Sequence, residues 1–216
     1  MDKIITKDGS ETFFSEQFNE TYHCKQGALE EAKIKYVTPC LEVINSKNEI
    51  VALDFCFGLG YNSTSLIDLI GDKKLTIIAL EDDLEIIKQI QNVNPDSKSF
   101  SLIKEFAKNI LQGKMETIHE NITLKMLLGD AKQTLNQIDN IDICLLDPFS
   151  PKQSPDLWTQ EIFNQLYKIM NKNSILTTYS YATHVKNKLK LAGFQVKDGP
   201  IYGRKSPSTI AIKSIS

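Results

Sequence analysis

Four carboxylates stand where apolar runs end. Asp54 follows Val51–Leu53, Glu81 follows Leu75–Leu80, Asp130 follows Ile122–Leu128 and one glycine, and Asp147 follows Ile141–Leu146. The first of them opens the most organised stretch of the chain, VALDFCFGLGY (51–61), after which Asn62 begins a polar, helix-compatible segment. Strand, glycine turn, helix is how a doubly wound α/β sheet begins a nucleotide site. Gly58 and Gly60 would let the backbone come close to a ligand. No GKS or GKT follows, which excludes a phosphate-binding P-loop, and no third glycine completes G-x-G-x-x-G. The plainer alternative is a glycine turn that only tightens a strand–helix joint.

The other strand ends carry matching chemistry. Glu81 lies 21 positions after Gly60, where an acidic side chain can accept hydrogen bonds from ribose hydroxyls. Asp82 and Asp83 beside it suit the start of a following helix, where negative charge is favoured, and Asp82 is also grouped with the cofactor-side residues. Gly129-Asp130-Ala131 sets a carboxylate near the adenine edge. Asp130 also stands where a helix would be N-capped, and the two roles are compatible. Asp147-Pro148-Phe149-Ser150-Pro151 places two prolines within four residues, so the backbone is stiff and non-helical. A carboxylate, a fixed bend and an aromatic ring then face one cleft. An ordinary strand exit with a core phenylalanine is the alternative, but four strand ends agreeing in order and role weigh against it.

These residues need a sheet to hold them. Apolar runs suited to buried parallel strands are Ile50–Phe55, Leu75–Leu80, Ile122–Leu128, Ile141–Leu146 and Ser174–Tyr179. Helical patterns fall between them at Ser63–Ile70, Leu84–Gln91, Phe100–Leu111, Ala131–Gln137 and Gln160–Met170. A further helix, His184–Leu191, stops before Gly193. Gly193–Val196 and Thr209–Ile212 are expected to pair as an antiparallel edge. Residues 96–121 have room for an extra helix. Alternation of this kind predicts a mostly parallel sheet with helices on both faces. Before residue 45, Thr6–Phe14 reads as a hairpin or an irregular arm, and Gln26–Tyr36 as a short helix that Pro39 ends. This N-terminal extension is too small for a domain and should pack on the core, giving a single domain over 1–216.

Composition narrows the class. The chain has 216 residues, 41% hydrophobic and 24% charged, which is ordinary for a globular protein. MDKIITKDGSETFF has no apolar signal core, so a cytoplasmic location is expected. Four scattered cysteines and three histidines in no ligand spacing give no reason to expect a metal. A net charge of −2 argues against nucleic-acid binding through global charge but leaves room for a local basic patch. Arg204 is the only arginine.

Read as D-x-x-x-G-x-G, the glycine turn resembles the first motif of S-adenosylmethionine-dependent methyltransferases, which usually has another glycine where Cys56 stands. DPFSP resembles the (D/N)-P-P-(Y/F) loop of enzymes that methylate exocyclic amines. The longer stretches 6–37, LDFCFGLGYN (53–62), LEDD (80–83), LLGDA (127–131), LLDPFSPKQSPDLWTQEIF (145–163), TYS (178–180) and YGRK (202–205) resemble the methyltransferase part of the MnmC family. That family makes 5-methylaminomethyl uridine at the tRNA wobble position. The resemblance spans nearly the whole chain. It implies a Rossmann-like class I methyltransferase fold, S-adenosylmethionine as cofactor and tRNA, at its anticodon region, as partner. It also implies a stand-alone methyltransferase, because 216 residues leave no room for the oxidase half of bifunctional members.

Residue by residue, the resemblance places Glu31, Gly58, Glu81 and Asp130 at cofactor-contacting positions and Asp147 at the reacting amine. Asp54, Gly60, Asn62, Asp82, Gly129, Ala131 and Asp147 itself complete the expected cofactor side. Asp147 and Phe149 are the expected catalytic pair: Asp147 orients the amine and takes its proton, and Phe149 stacks on the base. Pro148, Ser150, Tyr179, Arg204 and Lys205 complete the substrate side. Lys152, Lys186, Lys188 and Lys190 are further candidates for an RNA grip, with a solvated helix face as the alternative for the last three. A same-fold transferase acting on a small amine, or a non-catalytic nucleotide- or RNA-binding protein, stays open beside this reading.

Overall fold

The computed structural model describes residues 1–214. Three short strands come first, β1 (Lys3–Ile5), β2 (Glu11–Ser15) and β3 (Glu20–Thr21), and form a small antiparallel sheet in that order. A helical stretch follows. It starts as α1 (Ala28–Glu31), widens to π winding over Ala32–Val37, tightens to a 3-10 turn over Thr38–Cys40 and continues as α2 (Leu41–Ser46). Pro39 therefore does not end the helix, contrary to the sequence-based expectation. It sits in the first turn of the 3-10 segment, where its missing N–H is not needed. Earlier in the stretch, the Lys33 carbonyl is satisfied by the Thr38 backbone N–H and hydroxyl.

The main sheet is built from β4 (Glu49–Phe55), β5 (Lys74–Glu81), β6 (Glu116–His119), β7 (Ile122–Leu128), β8 (Ile141–Leu146), β9 (Met170–Thr178), β10 (Gln195–Asp198) and β11 (Thr209–Lys213). Its order is β10-β11-β9-β8-β4-β5-β7-β6. The five central strands are parallel, and both edges are antiparallel. The long 96–121 connection thus carries α5 (Phe100–Leu111) and then an edge strand rather than a second helix. The late antiparallel pair is present as expected. No helix among the described residues is long and apolar enough to cross a membrane.

Alternation along the strands divides the core. In β4, Ile50 and Ala52 pack with the N-terminal helical stretch, α3 (Tyr61–Ile70) and α5, while Leu53 and Phe55 pack on the opposite face with α7 (Gln160–Ile169) and α8 (Thr183–Leu191). Phe13, Ala28, Ala32, Tyr36 and Ile44 share the first of these cores, so the N-terminal extension is packed into the sheet. The chain leaves β4 towards β5 and β7 on one side and later returns to β8 and β9 on the other. The switch point lies between β4 and β8, where ligands of open α/β sheets bind. Register brings the relevant strand ends level: Phe55 pairs with Leu80 on one side and Leu146 on the other.

Candidate active site

A cavity of about 420 Å³ opens at the carboxyl ends of these strands, within the range of about 300–1,000 Å³ usual for cofactor-sized ligands. Glu31, Gly58, Glu81, Asp82, Asp147, Pro148, Phe149, Ser150, Tyr179 and Arg204 line it, as the sequence placed them together. The lining also includes Phe18, Glu20, Tyr22, Lys35 and Cys56.

One wall is the glycine turn and the end of β5. Gly58 has φ +54 and Gly60 has φ +75, backbone that disfavours a side chain. A Cβ on Gly58 would find its nearest atom, in Tyr22, at 3.7 Å, so the chain is open to a ligand there. At Gly60 it would meet Phe57 at 2.7 Å and Ile103 at 2.8 Å, away from the cavity. Cys56, standing where the motif usually has glycine, takes φ 67, a conformation that costs energy with a side chain. The Glu81 carboxylate accepts backbone N–H groups from Gly58 at 2.8 Å and from Asp82 and Asp83 at 3.0 Å each. A carboxylate has about four acceptor positions, so one remains on the oxygen facing Gly58. Burial pushes the Glu81 carboxyl up to about 7, against the pull of those N–H groups.

Asp147 forms the floor. Its Oδ1 accepts from the Tyr36 hydroxyl, and its Oδ2 accepts from Asn62 Nδ2 at 3.0 Å. Its backbone N–H donates to the Phe55 carbonyl at 3.1 Å and ties the loop to β4. Burial raises the Asp147 carboxyl well above the ordinary value, the Glu31 carboxylate adds to this, and the Tyr36 and Asn62 bonds oppose it. Beyond it, Ser154 Oγ and Trp158 Nε1 both donate to the Phe149 carbonyl, at 2.6 and 2.9 Å. That is how the segment after DPFSP holds the loop's shape. The Phe149 ring is stacked on Phe18 at 4.4 Å between centroids and meets Tyr22 edge-on at 4.9 Å.

The N-terminal extension closes the cavity from above. Glu20 accepts from the Ser150 backbone N–H at 2.9 Å and from its hydroxyl. Tyr22 donates to Asp83 at 2.9 Å. Glu31 accepts from the Cys24 N–H at 3.0 Å and pairs with Lys35 at 2.7 Å. Lys35 is only 1% exposed, and a buried cation needs such a partner. Arg204 stands at the mouth, 5.2 Å from the centre of the Tyr179 ring.

Several residues expected at the ligand sit elsewhere. The Asp54 carboxylate is fully buried and accepts from the Ser63 N–H and hydroxyl, so it anchors the start of α3 rather than facing the cavity. Burial pushes it up to about 7. Gly60 is packed behind the turn, and Asn62 reaches Asp147 rather than the open space. Gly129, Asp130 and Ala131 lie one strand beyond the lining. Gly129 donates to the Glu81 carbonyl at 2.8 Å, and Asp130 caps α6 (Ala131–Thr134) through the Lys132 N–H. Lys205 is exposed outside the lining. Lys186 pairs with Asp198 at 2.7 Å and Lys188 donates to the Trp158 carbonyl at 2.8 Å, so both are engaged within the fold. Sequence reasoning missed Tyr36, Lys35, Phe18 and Glu20. Only the family likeness of 6–37 touched that region.

Comparison with known proteins agrees with this fold. The sequence profile of a family described as S-adenosyl-L-methionine-dependent methyltransferase matches residues 96–214, more than half of the chain. An uncharacterised protein of Methanocaldococcus jannaschii is 28% identical over 98% of this chain and 59% of its own length. The tRNA 5-methylaminomethyl-2-thiouridine biosynthesis bifunctional protein MnmC of Campylobacter hominis is 28% identical over 89% of this chain, which spans only 30% of that protein. The crystal structure of MNMC2 from Aquifex aeolicus superposes with a TM-score of 0.82 at 28% identity, covering 99% of this chain and 71% of that one. A spermidine synthase matches at a TM-score of 0.63 and 13% identity, a likeness of fold alone. With a Rossmann-like sheet, a cavity at its switch point and this family match, the chain belongs to the S-adenosyl-L-methionine-dependent methyltransferases, as a domain of the MnmC type.

Proposed function

We propose that the chain, working as one domain over residues 1–216 in the cytoplasm, methylates the aminomethyl nitrogen of 5-aminomethyluridine, with or without the 2-thio group, at the tRNA wobble position. The observation that carries this reading is Asp147, gripped through both oxygens on the cavity floor with the Phe149 ring two residues on. A carboxylate for an amine and a ring for a planar base stand side by side. The names of the MnmC relatives support the choice of nucleic acid.

The cavity fits S-adenosylmethionine. Glu81 keeps one acceptor position for a ribose hydroxyl, Gly58 leaves the backbone open, and the Glu31–Lys35 pair offers one charge of each sign to an amino-acid group. When bound, the cofactor supplies an electrophilic sulfonium methyl group. Asp147 orients the acceptor amine, whose nitrogen must be neutral to attack. An alkyl amine resembles lysine, with a reference value near ~10.4. Burial lowers the proton affinity of the amine and raises that of Asp147. The two shifts converge, so passing a proton from the amine to the carboxylate becomes less uphill. Phe149, one face of which Phe18 already covers, turns its other face to the base, and Arg204 at the mouth meets backbone phosphate in a bidentate manner.

The test is methyl transfer from radiolabelled S-adenosylmethionine to tRNA carrying 5-aminomethyluridine. Label in the wobble nucleoside after digestion is the expected result. Asp147→Ala should cut turnover about 10²–10⁴-fold while cofactor affinity holds. Label elsewhere in the tRNA, or transfer only to free small amines, would overturn the reading.

A further inference from the structure

The phenol of Tyr36 is 1% exposed, yet it reaches the reacting end of the site. It donates to Asp147 Oδ1 and accepts the Tyr179 backbone N–H at 3.3 Å. Both of its hydrogen-bonding roles are therefore fixed, and its proton points at the carboxylate. Asn62 holds the other oxygen. The winding of the helix makes this possible. In an α-helix, residues five apart are turned by about 140° from one another. Glu31 and Tyr36 are five apart and would face different ways. The π winding over Ala32–Val37 closes i→i+5 turns and brings such residues back towards one side. Glu31 and Lys35 thereby line the cavity, while Tyr36 reaches Asp147 on its floor from the buried side. An isolated π segment of this kind is frequent at functional sites.

We propose that Tyr36 is a positioning residue for the methyl-transfer reaction: with Asn62 it clamps the Asp147 carboxylate so that the remaining lone pairs face the acceptor amine. This rests on reading Asp147 as the group that meets that amine. The clamp also sets how readily Asp147 ionises, because a donor on a carboxylate favours its charged form. The other groups facing Asp147 are Glu31 from α1, Asp54 and Cys56 at the end of β4, and Tyr179 after β9. Glu31 and Asp54 act in the opposite sense to Tyr36. Tyr36 itself remains a donor across the working range, since burial and then the Asp147 charge raise its phenol well above the ordinary value.

Tyr36→Phe removes one oxygen and keeps the buried ring. Three readouts are expected. Turnover on aminomethyluridine tRNA falls by about 10-fold or more, as for loss of a hydrogen bond to a charged group, and the Michaelis constant changes little. The acid limb of the turnover–pH profile moves to higher pH. The dissociation constant for S-adenosylmethionine stays within a few-fold of wild type. Asn62→Ala, which frees the other oxygen, should move the acid limb the same way. Carbon-13 NMR titration of Asp147, assigned by its loss in Asp147→Asn, needs no acceptor and separates this proposal from the tRNA reading. Its midpoint should rise in Tyr36→Phe even if wild type proves inactive on tRNA. An Asp147 midpoint identical in wild type and Tyr36→Phe would overturn the proposal. So would a loss of cofactor affinity and thermal stability that matches the loss of turnover.

Discussion

The two glycines of the turn after β4 should fail in different ways when each is replaced by alanine. At Gly60 the added Cβ would lie 2.7 Å from Phe57 and 2.8 Å from Ile103, both fully buried. Overpacking of this kind costs about 1–3 kcal/mol, and the left-handed backbone at φ +75 adds about 1–2 kcal/mol. The sum is about 2–5 kcal/mol, which for a chain of this length lowers Tm by about 4–20 °C. At Gly58 the nearest atom is 3.7 Å away. Only the backbone cost applies, about 1–2 kcal/mol, for a drop of about 2–8 °C. Gly58, however, lines the cavity, so an added methyl would take up space proposed for the cofactor. Calorimetry should therefore find S-adenosylmethionine affinity reduced about tenfold or more in Gly58→Ala, since even 1.4 kcal/mol of misfit is a factor of ten. In Gly60→Ala, assayed well below its Tm, affinity should stay close to wild type. Equal Tm losses in the two variants, or wild-type affinity in Gly58→Ala, would refute the assignment of one glycine to packing and the other to the ligand.

Glu81→Gln replaces an acceptor of three backbone N–H groups by an amide that can satisfy them only in part. Cofactor affinity should drop by about 1.5–3 kcal/mol, and unchanged binding by calorimetry would remove Glu81 from the site. Asp54 gives a pH signature. Its folded value is about 7 against an ordinary 3.8, so the native state binds more protons than the unfolded state between those limits. Its contribution to stability is complete below about pH 4 and is lost as pH rises to about 7. The fall of Tm over this window should be shallower in Asp54→Asn than in wild type, and parallel curves would sink the assignment. Arg204→Ala should raise the Michaelis constant for tRNA and flatten its salt dependence while cofactor affinity holds. Kinetics and salt slope matching wild type would reduce Arg204 to the Tyr179 ring contact.

The central sheet was legible because its strands are short apolar runs, buried on both faces in β8 and mainly on one face in β7, and such runs leave little freedom. Leu75–Leu80 was read where Lys74–Glu81 forms, and Ile141–Leu146 matched to the residue. Strand ends then named Glu81 and Asp147 at once, because a parallel sheet puts every carboxyl end on one side. The N-terminal half of the site was much less legible. Tyr36 meets Asp147 across 111 positions of sequence, and no local pattern encodes such a contact. The π winding that aims it has no composition signal of its own, and Pro39 pointed to a helix end, whereas it stands in the first turn of a 3-10 segment through which the helix continues. Phe18 sits in a polar turn between β2 and β3, where a single aromatic looks incidental until Phe149 is found beneath it. Asp54 illustrates the reverse error: its carboxylate is at a strand end but is used by the backbone that follows it. Asp130 caps α6, one of the two compatible roles read for it from the sequence.

Besides its pairing with β2 and the Phe18–Phe149 stack, the segment from Phe18 to Tyr22 is tied by side chains to two walls of the cavity. Glu20 holds Ser150 on the acceptor side, and Tyr22 holds Asp83 on the cofactor side. If the two walls hold the two proposed ligands, the segment would act as one mechanical element shared by two binding events. A ligand that loosens either tie has already met part of the cost of moving the segment, and the second ligand meets only the remainder. The two affinities are then linked by a single coupling free energy, which must be the same whichever ligand arrives first. A protein built this way can favour the doubly occupied state over either singly occupied one without any contact between its two ligands.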